Sequence, residues 1–167
     1  MSDTTSPTYA VVHRPARPAV TVTRTVTMAT LHEMADAVPP LLDWLTAHGR
    51  VPAGPPFLRY LVIDMAADMV VQAGVPVDTP VEGDEHVKPD ELPAGDYLTT
   101  VHVGPYEGLY GATGALLAYA GRQGLKLDHH PSDAGDVWVS RLEWYETDPL
   151  VEPDPARWTT RLEMKLA

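Results

Sequence analysis

The stretch "YLTTVHVGPYEGLYGATGALLAYAGRQG", Tyr97 to Gly124, changes its period partway along. Up to Val103 polar and β-branched residues alternate, the pattern of a strand with one buried face. After Gly104 and Pro105 the apolar residues recur at helical spacing until Gly124, a glycine where a helix C-terminus needs one. A strand therefore turns directly into a helix. Tyr106 opens that helix, and Glu107 is a first-turn acid that suits the positive end of the helix dipole.

The same order occurs earlier in the chain. "VTVTRTVTM" (Val20 to Met28) reads as a strand, followed by a helix from Thr30 to Gly49 whose apolar residues Leu31, Met34, Val38, Leu41, Leu42 and Leu45 share a face. Thr30 and Glu33 have the spacing of a capping box, and Pro39 with Pro40 must kink or divide the helix. Strands follow at about Phe57 to Ile63 and Asp68 to Val77. After the second helix, "DVWVSRLEWYET" and "RWTTRLEMKLA" read as strands, the last placing Trp158, Thr160, Leu162, Met164 and Leu166 on one face.

These are two strand-helix-strand-strand units, pseudo-repeats at about 19–77 and 94–167. They predict an α+β fold: one antiparallel sheet, both helices on one face, and a ligand groove between the halves on the other. Residues 1–17, rich in Ser, Thr, Pro and Ala, read as a flexible tail, and residues 18–167 as a single domain. The acidic, Pro-Gly-rich stretch from Asp78 to Asp96 reads as a surface connector.

Composition limits the function. A net charge of −11 over 167 residues argues against a surface that tracks nucleic-acid phosphates. With no cysteine, disulfides and thiolate zinc sites are impossible. No apolar run has membrane-spanning length, and no secretory signal opens the chain, so a cytoplasmic location is expected. No phosphate-cradling glycine loop or nucleophile elbow occurs, and no cofactor is expected.

"HVGPYEGL" (His102 to Leu109), an apolar helix closing at Gly124 and Leu125, and "LEWYETDP" (Leu142 to Pro149) together resemble the signature of the GyrI-like small-molecule-binding family. "PPFLRYL" and "GVPV" in the first half add to the likeness. The resemblance covers about Ala19 to Leu166 and implies a free-standing effector-binding domain in which Glu143 faces a ligand. The loop "DHHPSDAGD" lies outside that pattern.

Glu143 and Tyr145 alternate with Leu142 and Trp144, so the two pairs face opposite ways; with the apolar pair under the helices, the polar pair would face the groove. A partly desolvated carboxylate attracts a cation, and tyrosine rings add cation–π attraction. Candidate ligand-binding residues are Glu143, Tyr145, Tyr106, Tyr60, Tyr110, Trp138 and His102. For Glu143 the competing reading is a solvated residue paired with Arg141 or a neighbouring strand. Tyr110 and the tryptophans suit core packing, with Trp138 the exception if a bulge reverses its facing. His102 suits a structural hydrogen bond. Asp128, His129, His130, Asp133 and Asp136 form the only metal-like cluster, but their loop has ordinary turn composition, and no metal is expected.

Three functions follow. A binding module would capture hydrophobic, cationic or aromatic molecules as a sink or sensor, with a protein partner possible. A hydrolase, suggested by the resemblance, would open strained cyclopropanes in DNA-alkylating natural products, with Glu143 as general base and Tyr106 or another tyrosine polarising the substrate. An acidic interaction module would inhibit a DNA enzyme. A homodimer could form through an unpaired edge strand.

Overall fold

A computed structural model describes residues 7–64 and 66–167. The strands are β1 (Ala10–Arg14), β2 (Arg17–Val26), β3 (Phe57–Ile63), β4 (Met69–Pro76), β5 (Lys88–Leu92), β6 (Gly95–Val103), β7 (His129–Ser132), β8 (Gly135–Trp138), β9 (Arg141–Tyr145) and β10 (Thr159–Lys165). The helices are α1 (Val38–Ala47) and α2 (Leu109–Gln123). The sheet runs β1-β6-β10-β9-β3-β4-β2-β5, and the β7–β8 hairpin joins it at β3. From the central β9–β3 pair outward, the second half reads β9-β10-β6 and the first reads β3-β4-β2. This is the same order of elements about a twofold axis, as a duplicated unit requires.

Both helices cover one face. α1 buries Leu41 and Leu45 against Val20, Val71 and Val75, while α2 buries Leu116 and Ala120 against Leu98, Leu162 and Met164. Ile63 and Tyr145 pack against both cores and mark the seam between them. On the far face a third cluster holds Phe57, Tyr97, Leu142 and Trp144.

Which residues face the helices follows from register. Leu58 of β3, Glu143 of β9 and Leu162 of β10 are paired across the strands and so project to one side. Leu58 and Leu162 belong to the two helix-covered cores. Glu143 and Tyr145 therefore lie on the helix side, and Leu142 and Trp144 on the far side. This reverses the expected placement, in which the apolar pair packed under the helices and the groove lay on the opposite face. The far side is also well buried, so apolar character did not identify the helix side.

Other expectations are also corrected. Within the expected tail, Ala10–Arg14 is an edge strand paired with β6, Thr8 accepts a hydrogen bond from Thr100 Oγ1 at 2.8 Å, and Tyr9 stacks on Tyr119 at 4.3 Å. The β-branched Val11 and Val12 suit pairing, and the prolines fall beside the strand rather than within it. The rest of that tail, residues 1–6, lies outside the described residues. The connector contains β5, which closes the edge of β2; its proline and charges suit an edge strand. No capping box forms: the Thr30 hydroxyl accepts from the Thr27 amide at 2.9 Å, and Leu31–Ala37 is a 3-10 helix. The α-helical turn starts at Val38, so Pro39 and Pro40 occupy the first turn, where a missing N–H costs nothing.

Candidate functional site

At the seam, the hydroxyls of Tyr60 and Tyr145 both donate to Glu143 Oε1, at 2.5 and 3.0 Å. Among the described residues no donor bonds to Oε2. Glu143 is 9% exposed, and Tyr60 and Tyr145, partly buried, pack against the helix-covered cores beside it. Two open recesses lie elsewhere: one on the far face beside Arg17 and Trp144, the other beside Leu117 and Leu127 near the end of α2.

Burial pushes the Glu143 carboxyl above its ordinary range, against the opposing pull of the Tyr60 and Tyr145 hydroxyls and of the Arg141 charge. Burial likewise raises the Tyr60 and Tyr145 phenols well above theirs, with the Glu143 charge adding to it. The tyrosines therefore remain donors throughout the neutral range, and the acid is a hydrogen-bonded carboxylate held in a medium that disfavours its charge.

The strand-to-helix turn supplies the next ring. Tyr106 meets Tyr145 edge to face at 5.6 Å and lies against Trp158 at 4.7 Å. Gly104, at φ 138°, donates its N–H to the Trp158 carbonyl at 2.8 Å, which fixes the turn to the start of β10. His102 stays at the turn, donating from Nε2 to the Pro105 carbonyl at 3.0 Å. Gly108 makes room for that imidazole, since a Cβ there would stand 2.6 Å from His102 Cε1. His102 thus braces the turn that carries Tyr106. Asp148 and Pro149 shape a loop, with Asp148 accepting from the Leu150 amide at 2.9 Å.

The facing of Trp138 does reverse, and the reversal buries the ring in the α2 core rather than in an open ligand wall. The strand read from Asp136 to Thr147 breaks at Val139 and Ser140, and Trp138 packs in the α2 core although Leu142 and Trp144 face away from it. The Val139 carbonyl accepts from Arg59 at 2.6 Å, and Ser140 Oγ from the Tyr97 hydroxyl at 3.0 Å. Tyr110 is 74% exposed and contributes neither to the core nor to the rings around Glu143, because it begins α2 on its solvent side.

Of the expected ligand-binding residues, Glu143, Tyr145, Tyr60 and Tyr106 converge, Trp138 stands beside them, and His102 and Tyr110 do not join. From the sequence, Arg141 reads only as a surface partner for Glu143. It shares the Glu143 face by strand alternation, and its guanidinium lies 4.7 Å from the Trp138 ring centre and 5.9 Å from that of Tyr60. The metal-like loop is the β7–β8 hairpin: Asp128 takes Lys165 at 2.8 Å, and His129 takes Asp136 at 2.8 Å. Among the described residues no three His, Asp or Glu side chains converge on a point. Nor, among them, is any helix long and apolar enough to cross a membrane.

A duplicated sheet with a carboxylate held by two tyrosine hydroxyls at the junction of its halves is consistent with a small-molecule-binding domain. The chain belongs to the GyrI-like small molecule binding domain family, whose model matches residues 7–133. That match ends before Glu143, so the placement of the acid rests on geometry. Among solved structures the fold resembles EcmrR in its complex with DNA (TM-score 0.77, 18% identity, 96% of this chain). The chain spans 57% of that EcmrR chain. It also resembles SAV2435 bound to tetraphenylphosphonium (TM-score 0.63, 10% identity, 96% of this chain and 94% of that one). A third likeness is to a hydrolase from Listeria innocua (TM-score 0.57, 14% identity, 95% and 91%). No curated protein matches the sequence significantly.

Proposed function

We propose that this protein captures hydrophobic aromatic or cationic small molecules over the Glu143 seam, as a sink or as a sensor acting through a protein partner. The observation that carries this reading is the one-sided carboxylate. Oε1 receives both tyrosine hydroxyls while Oε2 has no donor among the described residues. A ligand with a positive or N–H-bearing group satisfies Oε2, and the rings of Tyr60, Tyr106 and Tyr145 supply flat apolar contact and cation–π attraction. The binding of tetraphenylphosphonium by SAV2435 supports a site of this character. Titration with flat aromatic probes, followed by tryptophan fluorescence, tests it. Glu143→Gln is expected to weaken binding about 10- to 100-fold, the value of a charge-assisted contact. Undiminished binding would place the ligand elsewhere.

A second reading is hydrolysis of a strained cyclopropane, favoured by a carboxylate and two phenols within hydrogen-bond reach of one another and by the likeness to a Listeria innocua hydrolase. Glu143 would take a proton from water while a tyrosine hydroxyl polarises the ligand carbonyl. Loss of the substrate chromophore with wild-type protein but not with Glu143→Gln supports turnover; equal rates leave binding alone.

A further inference from the structure

The seam contains a cation of its own. Arg141 pairs with Met164 across the β9–β10 ladder, on the face of Glu143, and its guanidinium lies 4.7 Å from the Trp138 ring centre while the residue is only partly buried. Among the described residues it makes no hydrogen bond and no ion pair within 4.0 Å, although Glu143 stands two residues along the strand. A guanidinium has five N–H donors in a fixed fork, and here they are left without a protein acceptor and partly open to solvent. The Trp138 indole N–H, in contrast, is fully buried without a partner among the described residues. His129 stacks on the same indole at 4.4 Å, so the ring that carries the guanidinium is itself held in place.

We propose that Arg141 is the selectivity residue of the seam: its guanidinium, laid over Trp138 beside Glu143, receives a carbonyl, phosphoryl or carboxylate oxygen of an aromatic ligand and disfavours permanent cations. This rests on the small-molecule reading above and narrows its ligand class. A cationic guest must share Glu143 with Arg141 and sit close to a like charge, whereas a guest carrying an acceptor oxygen gives the unpaired fork a partner. A planar guanidinium suits this role because it stacks and donates at once. Burial pulls the Arg141 guanidinium below its ordinary range, while Glu143, Tyr60 and Asp136 hold it up, so it keeps its charge in the seam.

Two aryl probes of similar size separate the alternatives: tetraphenylphosphonium, a permanent cation, and triphenylphosphine oxide, a neutral oxygen acceptor. Both are titrated calorimetrically into wild type and Arg141→Met. The variant is expected to bind the phosphonium about tenfold more tightly and the phosphine oxide about tenfold more weakly, reversing the preference. If Arg141→Met does not fold, Arg141→Gln removes the charge while keeping a planar polar group, and reads the same ratio. Binding of both probes with an unchanged affinity ratio overturns the role of Arg141 and leaves the binding function standing. Failure of wild type and variant to bind either probe overturns the small-molecule reading, and this inference with it.

Discussion

Replacing Tyr145 with Phe removes one O–H donor from Glu143 Oε1, where it stands 3.0 Å away, and leaves the ring in place between the two helix cores. A hydrogen bond to an ionised group contributes about 1.5–3 kcal/mol, against about 0.5–1.5 kcal/mol for a neutral one. At a pH where Glu143 is ionised, the variant should lose about 1.5–3 kcal/mol, roughly 3–12 °C in melting temperature for a chain of this size. The hydroxyl favours the charged acid, so its removal raises the Glu143 carboxyl further than burial already does. Once pH falls below the ordinary carboxylate range both proteins hold the acid protonated, and only the neutral part of the loss should remain. Urea unfolding of both proteins at one pH above the Glu143 titration and one below the ordinary carboxylate range measures the two gaps. A deficit of equal size at the two pH values would refute the argument, since lost packing does not titrate.

Glu143→Gln should melt higher than wild type at neutral pH, by roughly 2–4 °C for each kcal/mol of relieved carboxylate burial. A raised carboxyl contributes stability that is complete below the unfolded carboxylate range and lost as pH rises through the folded value, so the gap should close in acid; a pH-scanned melting series checks it. Tyr106→Ala, at a ring 36% exposed, should leave the melting temperature within about 2 °C and weaken aromatic ligands about 5- to 50-fold, as fluorescence titration would show. Gly108→Ala should cost about 1–3 kcal/mol through the clash with His102. Adding His102→Ala should recover much of that loss in urea unfolding, which identifies the clash as its source.

The duplicated order of elements was legible because strand and helix periods alternate twice and Gly49 and Gly124 both follow helices, each at φ 67°. Glu143 and its tyrosines were legible because a strand repeats every two residues. The side on which they point was not, since alternation separates two faces without saying which one a helix covers, and here both faces of β9 are buried. β5 is hidden because its proline and charges also characterise loops, and β1 because it is short and lies between prolines in a Ser-, Thr- and Pro-rich stretch. Arg141 was visible as a neighbour of Glu143, but the stack on Trp138 depends on the break at Val139 and Ser140, a local reversal that a strand-like sequence does not locate.

The central pair of strands has a consequence for how such a site can arise. Leu58 stands opposite Glu143, and two residues along each strand come Tyr60 and Tyr145, so the twofold axis exchanges the phenols and exchanges leucine for the acid. Two identical half-chains would place like residues at that position: paired leucines with no charge, or paired carboxylates on adjacent strands, at roughly 5 Å between Cβ atoms, repelling one another. Joining the halves in one polypeptide lets each mutate alone. The phenols keep their symmetry and converge on a single acid, so a ligand bound at the proposed site would meet a polarised, one-directional surface on an otherwise symmetric floor.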